Sequence, residues 1–375
     1  MSEDPRTFPF YRLRGTHRVI GQQFGDACAD LIRQHRDRVL ARLDTQAGMS
    51  AKHALSTAMY YRDYVVAHAP FLDEEIQGVA EGARIPLPEA YLLQLRAEVA
   101  APVTAAPAPL PAGASVEAGD ECTTFAVLAE GTSDGIPLIG QNADLPVFYG
   151  EIGVVVEIAP DDAPAVLMLT PAGQVSYIGI NAQGLGIFAN FLTCDGWRVG
   201  YPRYLLSRLA LTKDTVEEAI AAIRSVPRAS SRNLILLDAQ GTAADLETTP
   251  TNDARLDPEN GLLAHSNHYV AEDLGNEDRS AERPRHNSRV RLERMRELLA
   301  ENRGNLNAKV MQDLLRDRTC HPDTICREPE DAQGADVMTF ASVIAAPTRG
   351  EMWVAVGPPN KHTYRRYGFT ETGRS

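Results

Sequence analysis

The feature that most constrains the fold is a predicted hairpin at residues 119–146. Its sequence is G-D-E-C-T-T-F-A-V-L-A-E-G-T-S-D-G-I-P-L-I-G-Q-N-A-D-L-P. Two apolar runs, residues 123–129 and 136–141, flank the polar turn G-T-S-D-G, which is typical of paired antiparallel strands. Cys122 precedes the first strand, and Asn142 and Asp144 follow the second. The chain is therefore expected to form a sheet here, with a thiol at its start and a carboxylate at its end.

The pattern of the chain changes at this hairpin. Before it, apolar residues recur at three- and four-residue steps and predict helices over residues 17–43, 55–66, 71–82 and 88–99. After it, short apolar runs predict strand pairs at 154–158 and 165–169, 175–180 and 185–191, 233–238 and 243–247, and 339–345 and 352–356, with a single strand at 261–269. Helices are predicted at 203–211, 215–224, 288–300 and 307–316. Successive hairpins interrupted by helix pairs indicate antiparallel sheets with helices packed outside them.

Composition excludes several classes of protein. The 375 residues are 44% hydrophobic and carry a net charge of −13, which argues against a nucleic-acid partner. No run approaches the roughly 18 apolar residues of a membrane span. The first residues lack a signal-peptide pattern, and the five cysteines are odd in number and irregularly spaced. We therefore expect a soluble cytoplasmic protein with reduced thiols and no cofactor; the oligomeric state stays open.

Residues 100–119, rich in proline and alanine, predict an extended linker just before Cys122. A lone cysteine beside a strand is often an inert apolar residue, and the linker by itself could simply join two domains. Cleavage of the Glu121–Cys122 bond would give Cys122 an α-amino group with a pKa of roughly 7.7–8.0, suited to accept the thiol proton. The position therefore favours a self-cleaving protein whose nucleophile is its new N-terminus.

Several motifs resemble one known family. The start C-T-T-F, the turn G-Q-N-A-D and the block A-G-Q-V-S-Y-I-G-I-N-A-Q-G-L-G-I-F-A-N-F-L are similar to the acyl-coenzyme A:6-aminopenicillanic-acid acyltransferase family. These are autoproteolytic N-terminal-nucleophile enzymes related to penicillin V acylases and bile-salt hydrolases. Further similar segments are G-T-H-R-V-I-G-Q-Q-F-G, E-E-I-Q-G-V-A-E-G-A, S-N-H-Y and T-I-C-R, in the family's order. The resemblance covers nearly the whole chain.

The resemblance implies a fold and a set of catalytic residues. The fold is α+β, a four-layer αββα sandwich with two antiparallel sheets, in which residues 1–121 form the smaller cleaved chain and residues 122–375 the larger. Cys122 is the implied nucleophile, and Asp144 the implied clamp on its new α-amino group. Asn267 and Asn190 are the implied oxyanion donors. From the residues alone, each of the last three could instead be a turn residue, and this alternative is strongest for Asn190.

Two departures from the hydrolase relatives concern substrate binding. Gln141 stands where the bile-salt hydrolase branch carries an arginine, which favours the acyltransferase branch. The strand M-T-F-A-S-V-I-A also lacks an arginine of those relatives, and Thr339 or Ser342 is the candidate for serving the site from it.

Two other groups of residues are interpreted as structural. Cys320, His321 and Cys326 lack a second ligand pair at metal spacing, so no metal is predicted. The arginines at 283, 285, 289, 291, 294 and 296 are interrupted by glutamates, which is typical of a solvated helix face.

The predicted function is hydrolysis of a small N-acyl amide through a thioester at Cys122. The first alternative is transfer of an acyl group, from acyl-CoA or an amide, to an amine of a secondary metabolite. The second is an unprocessed binding protein that has kept the fold. The expected partners are a small amide or acyl-CoA substrate and the protein's own cleaved N-terminal chain.

Overall fold

The computed structural model describes residues 6–95, 97–100, 121–332 and 336–370. The predicted linker at residues 100–119 lies almost wholly outside the described residues. Within the described ranges, no helix has the length and apolarity needed to cross a membrane.

The part of the chain before the linker is mainly helical, as predicted. Its elements are β1 (Phe10–Gly15), α1 (His17–Ala27), α2 (Ala29–Ala47), α3 (Ala51–Met59), α4 (Arg62–His68), α5 (Pro70–Ala83), α6 (Leu87–Leu92) and α7 (Ala97–Ala100). The single helix predicted over 17–43 is two helices, because the backbone leaves helical geometry at Cys28, whose φ is −113° and ψ 16°.

Helices α1 and α5 pack through glycines. A Cβ atom on Gly21 would lie 2.1 Å from the carbonyl oxygen of Glu75, and one on Gly78 would lie 2.3 Å from that of Arg18. Gly25 and Gly82 meet one turn further along in the same way. The two backbones can approach this closely only because glycine has no side chain.

The part after the linker supplies the remaining strands and five more helices. Its elements are β2 (Glu121–Val127), β3 (Leu138–Pro146), α8 (Tyr149–Ile152), β4 (Gly153–Pro160), β5 (Val166–Pro171), β6 (Ile178–Asn181), β7 (Gly186–Asn190), α9 (Leu205–Ala210), α10 (Val216–Arg224), β8 (Arg232–Leu237), β9 (Ala243–Thr248), β10 (Asp253–Leu256), β11 (Leu262–His265), α11 (Glu282–Glu301), α12 (Ala308–Leu314), β12 (Val337–Ala346), β13 (Glu351–Val356) and β14 (Arg365–Gly368).

The strands form two sheets. One has eight strands in the order β1-β4-β5-β6-β7-β8-β9-β10, and the other has six in the order β11-β2-β3-β12-β13-β14. Every neighbouring pair is antiparallel except β1 with β4, which is parallel and joins residues about 145 positions apart, Phe10 opposite Val155. The parallel pair was not predicted.

Three apolar clusters separate four layers. Ile139, Phe188 and Phe340 belong to the cluster between the two sheets. The other face of the eight-stranded sheet packs against the helices of the first part together with α9 and α10. The other face of the six-stranded sheet packs against α11 and α12. The predicted αββα sandwich is confirmed.

Candidate active site

Cys122 is the second residue of β2, and its side chain points between the two sheets. It lies 4% exposed in the inter-sheet cluster, opposite Ala143 of β3. Because side chains alternate along a strand, Glu121 and Thr123 point the other way, toward the layer of α11. The thiol and its two neighbours therefore face different layers of the sandwich.

The thiol has a fixed partner in Gln141. The side-chain nitrogen Nε2 of Gln141 donates to Cys122 Sγ at 3.6 Å, while its Oε1 accepts from the backbone nitrogen of Ala189 at 2.9 Å. The second contact fixes the orientation of the amide, so the NH₂ group faces the sulfur. The structure therefore places Gln141, a candidate substrate-binding residue, beside the thiol.

The backbone nitrogen of Cys122 is held by Asn267. It donates to Asn267 Oδ1 at 2.8 Å. Asn267 is itself fixed from several sides: its Nδ2 donates to the carbonyl of Phe191 at 3.0 Å, and its backbone nitrogen donates to Ser288 Oγ at 2.7 Å. The nitrogen that cleavage would turn into an amine thus already has a rigid acceptor.

The carbonyl oxygen of Cys122 accepts from three side chains. Arg291 Nη1 lies at 2.7 Å, Asn190 Nδ2 at 3.0 Å and Ser266 Oγ at 3.3 Å. Asn190 in turn accepts from Thr124 Oγ1 at 2.7 Å through its Oδ1. The structure therefore brings Asn190 and Asn267 together at the two backbone groups of Cys122.

Asp144 lies opposite Glu121 in the β2–β3 register, on the same outer face of the sheet. Its Oδ1 accepts from Thr339 Oγ1 at 2.6 Å, and its Oδ2 has no hydrogen-bond partner among the described residues. Burial raises the pKa of Asp144 to about 7, although the nearby charges of Arg291 and Arg327 act to lower it. In the intact chain the Cys122 nitrogen is thus held by Asn267, and Asp144 is a neighbouring carboxyl group able to exchange a proton near neutral pH.

Arg291 corrects one interpretation made from the sequence. The basic run on α11 was expected to be solvated, yet Arg291 is wholly buried. Besides the Cys122 carbonyl, it donates to Asn267 Oδ1 at 3.0 Å and to Thr123 Oγ1 at 3.0 Å. The sequence contained a signal for this. Arg291 belongs to a stripe at three- and four-residue steps that faces the core, formed by Ser288, Arg291, Leu292, Met295, Leu298 and Leu299.

Glu121 is held by two arginines. Arg327 donates to its carboxylate, and Arg291 Nη2 lies 3.7 Å from the same oxygen. Arg327 is nine-tenths buried and, like Arg291, was not identified from the sequence. The residue before the predicted cleavage site is therefore fixed by charge on the outer side of the sheet.

The two β12 candidates do not reach the thiol. Thr339 contacts Asp144 on the outer face, as described above. Ser342 lies opposite Asn142 and shares a hydrogen bond of 2.6 Å with Tyr364 OH in the layer of α12. The structure places neither side chain beside Cys122; Thr339 serves the site indirectly, through Asp144.

A small cleft opens beside the thiol. Its polar lining is Cys122, Asn190, Arg203 and Arg232, and its apolar and aromatic lining is Leu145, Tyr177, Ala189, Phe191 and Tyr204. A thiol with an ordered amide partner beside a mostly apolar cleft can attack a small electrophilic carbonyl. No group of three or more metal-binding side chains occurs within the described ranges, and Cys320 and Cys326 are thiols.

Comparison with known proteins places the chain in a family. The family described as acyl-coenzyme A:6-aminopenicillanic acid acyl-transferase matches residues 131–361, and the chain belongs to this family. The match includes Asp144, Asn190 and Asn267 and begins after Cys122. The predicted family is confirmed, and with it the prediction that the chain is an enzyme.

Individual relatives show the range of this similarity. The 40 kDa form of acyl-coenzyme A:6-aminopenicillanic-acid-acyltransferase from Emericella nidulans is 29% identical over 291 residues, which cover 76% of this chain and 75% of that protein. A mutant form of the conjugated bile acid hydrolase from Clostridium perfringens is 14% identical, with a TM-score of 0.42, covering 67% of this chain and 97% of the hydrolase. Penicillin V acylase from Agrobacterium tumefaciens is 13% identical, with a TM-score of 0.41, covering 62% and 82%. These superpositions are too loose to carry an argument about the site.

Proposed function

We propose that the chain cuts itself between Glu121 and Cys122, and that Cys122 then serves as the N-terminal nucleophile of a hydrolase acting on a small N-acyl amide. The observation that carries this proposal is the set of hydrogen bonds that Cys122 makes. Asn267 holds its nitrogen, Arg291, Asn190 and Ser266 hold its carbonyl, and Gln141 holds its thiol. Because any buried backbone group needs a partner, the distinguishing contact is the one from Gln141 to a thiol that lines the cleft.

Self-cleavage proceeds through a thioester. The sulfur of Cys122 attacks the carbonyl carbon of Glu121, the C–N bond breaks, and the nitrogen takes up a proton to become an amine. Water then hydrolyses the thioester and leaves a carboxylate on residue 121. Residues 1–121 and 122–375 are the proposed smaller and larger chains, held together by the shared sandwich.

Asp144 has a proposed role once the bond is broken. An amide nitrogen has one hydrogen, which Asn267 accepts in the intact chain, whereas an ammonium group has three. The second oxygen of Asp144, buried without a hydrogen-bond partner among the described residues, supplies a further acceptor on the adjacent strand. Asp144 would thereby hold the new α-amino group and favour its charged form.

Turnover repeats the same chemistry on a substrate amide. The α-amino group accepts the thiol proton, sulfur attacks the substrate carbonyl, and the side-chain amides of Asn267 and Asn190 stabilise the oxyanion. Asn190 Nδ2 already donates to the carbonyl of Cys122 at 3.0 Å. Asn267 Nδ2 donates to the carbonyl of Phe191 in the intact chain, so it would have to turn toward the oxyanion during turnover. Loss of one such donor costs roughly 10²–10³-fold in kcat. The protonated amine leaves, and water resolves the thioester to release the acid.

The test of self-cleavage is the intact mass of the purified protein. Wild type is expected as two pieces divided at Glu121–Cys122, and Cys122→Ala as one. Cys194→Ala, which removes another buried thiol, is the matched control and should be cut like wild type. A wild-type chain that stays whole while hydrolysing amides would overturn the amine mechanism.

Transfer to an amine is the second candidate function, supported by the family and by the Emericella nidulans relative. Hydrolase and acyltransferase differ only in what resolves the thioester. Adding amine acceptors to a hydrolysis assay separates them: diversion of the acyl group into new amide at the expense of acid supports transfer, and undiminished acid release supports hydrolysis.

A further inference from the structure

Two buried arginines line the same cleft as the thiol. Arg203, just before α9, is 2% exposed, and Arg232, at the start of β8, is 3% exposed. Their guanidinium groups lie over aromatic rings: that of Arg203 is 4.4 Å from the ring centre of Phe191, and that of Arg232 is 4.7 Å from that of Tyr204. Rings stacked against the flat guanidinium groups fix their position in the cleft wall.

The charge of Arg232 is offset only in part within the described residues, by the charge of Glu98, with which it forms no ion pair. Glu98 is the neighbouring carboxylate, with its Oε1 3.6 Å from Arg203 Nε, and it also accepts from Ser230 Oγ at 2.9 Å. Arg232 forms no ion pair with any residue that the structure describes; its Nη1 donates to the carbonyl of Arg203 at 3.1 Å. Burial lowers the pKa of Arg232, and the charge of Arg203 lowers it further. Arg232 is thus a cation beside a second cation, in a place shielded from water.

We propose that the substrate is an amide that carries a carboxylate, and that Arg203 and Arg232 bind this carboxylate while Cys122 attacks the amide carbonyl. The inference rests on the proposed function and specifies its substrate. A carboxylate would neutralise the charge of Arg232, which is costly to leave buried without a counter-ion. Guanidinium groups match carboxylates in shape and bind them through paired, charge-assisted hydrogen bonds.

The size of the cleft limits this substrate. The cleft is small and partly open to solvent. The nucleotide body of an acyl-coenzyme A would have to lie outside it. The carboxylate is therefore assigned to the reacting amide itself.

The test compares matched amides with and without the charge. Glutaryl p-nitroanilide against pentanoyl p-nitroanilide places the carboxylate on the acyl side, and N-pentanoylglycine against N-pentanoylethanolamine places it on the amine side. Wild type is expected to show a kcat/KM at least ten-fold higher for the acid in one of the two pairs, the effect of one hydrogen bond to a charged group. Ratios near one in both pairs would overturn the inference and leave the proposed amide hydrolysis standing.

Substitutions test whether the two arginines cause the preference for the acid over the neutral amide. In Arg232→Gln, and separately in Arg203→Gln, the acid-to-neutral ratio should fall to about one. Arg228→Gln is the control, because Arg228 is also buried but donates to the carbonyls of Thr249 and Asn252 away from the cleft; it should keep the wild-type ratio. A preference that survives both cleft substitutions contradicts the inference.

A direct binding measurement separates this inference from the proposed function. If the processed protein hydrolyses no member of the panel, the proposed function fails for these amides, and thermal unfolding in glutarate against glutaramide decides the inference. A rise in Tm with glutarate alone that disappears in Arg232→Gln supports the carboxylate site. Equal shifts with both compounds, or none, overturn it.

Discussion

Replacement of Arg291 by methionine tests the idea that the helical layer behind the sheet positions the nucleophile. Methionine keeps an unbranched apolar side chain of similar length but removes all the donors. Arg291 donates to Asn287 Oδ1, the Cys122 carbonyl, Thr123 Oγ1 and Asn267 Oδ1. We expect the substitution to slow self-cleavage about 10²-fold and to leave a folded protein that is about 3 kcal/mol less stable.

The loss of stability depends on how many former partners of Arg291 are left without another partner. Breaking a buried ion pair typically costs about 3–5 kcal/mol, largely because the partner charge is left alone. Here Glu121 keeps Arg327, the Cys122 carbonyl keeps Asn190 and Ser266, and Asn267 Oδ1 keeps the Cys122 nitrogen. The expected loss is therefore at the low end of that range, about 3 kcal/mol.

The effect on the rate of self-cleavage comes from the position of Arg291 beside the scissile bond. Arg291 joins the carbonyl of Cys122 to the side chain that holds its nitrogen, so its removal loosens the scissile segment on both sides. A displacement of about 1 Å at a reacting centre can cost about 10²-fold. The charge of Arg291 also lowers the pKa of Asp144, so that pKa should rise above about 7 in the variant and any limb of the pH profile that it controls should move to higher pH.

The assay is a time course of intact mass after refolding or cell-free synthesis, beside urea unfolding of each variant. Arg289→Met is the control on the same helix, because Arg289 is exposed; it should be cut at the wild-type rate and lose less than about 0.5 kcal/mol. Cleavage of Arg291→Met within three-fold of wild type, with the protein folded, would refute the positioning role.

Two further predictions concern the scaffold. Gly78→Ala should lower the free energy of unfolding by about 3 kcal/mol, because its Cβ would meet the Arg18 carbonyl at 2.3 Å, whereas Gly275→Ala, with no atom within 4 Å, should be nearly neutral in urea unfolding. Burial raises the pKa of Asp245 from 3.8 to about 7, so wild-type stability should fall as pH rises through that window, because the unfolded chain releases the proton first. Asp245→Asn should therefore gain in Tm relative to wild type between pH 5 and pH 8, and a difference that does not change with pH would contradict this.

Local patterns in the sequence predicted the parts of the fold that depend on local chemistry. The hairpin of β2 and β3 follows from its two apolar runs and its turn. The start of α10 follows from the capping pattern Thr215-x-x-Glu218, in which the Thr215 hydroxyl accepts from the backbone nitrogen of Glu218 at 3.2 Å. The strands that were missed, β10 (D-A-R-L) and β14 (R-R-Y-G), are short and rich in charged residues, so no apolar run marks them. The parallel pairing of β1 with β4 depends on segments far apart in sequence, which no local pattern encodes.

Some residues of the candidate site could likewise be predicted from the sequence, and others could not. Cys122 stands out because of the linker and hairpin around it, and the resemblance to a family selected Asp144, Asn190 and Asn267. Arg291 could have been found, since it lies in the core-facing stripe of α11. Arg203 and Arg232 could not, because their meeting at the cleft depends on how α9 and β8 pack around Tyr204.

Side chains point alternately to the two faces of β2, so the residues that face the substrate differ from those that hold the strand in place. Because Cys122 points inward while Glu121 and Thr123 point outward, substrate is expected to reach the thiol from the cleft between the sheets, whereas Arg291 and Arg327 reach the backbone from behind the sheet. The outer layer can thus hold the strand during self-cleavage without occupying the space that substrate needs afterwards. A substitution in that layer should change the rate of cutting and leave substrate preference alone, whereas a substitution in the cleft should do the reverse. The Arg291 and Arg232 variants measure these two effects separately.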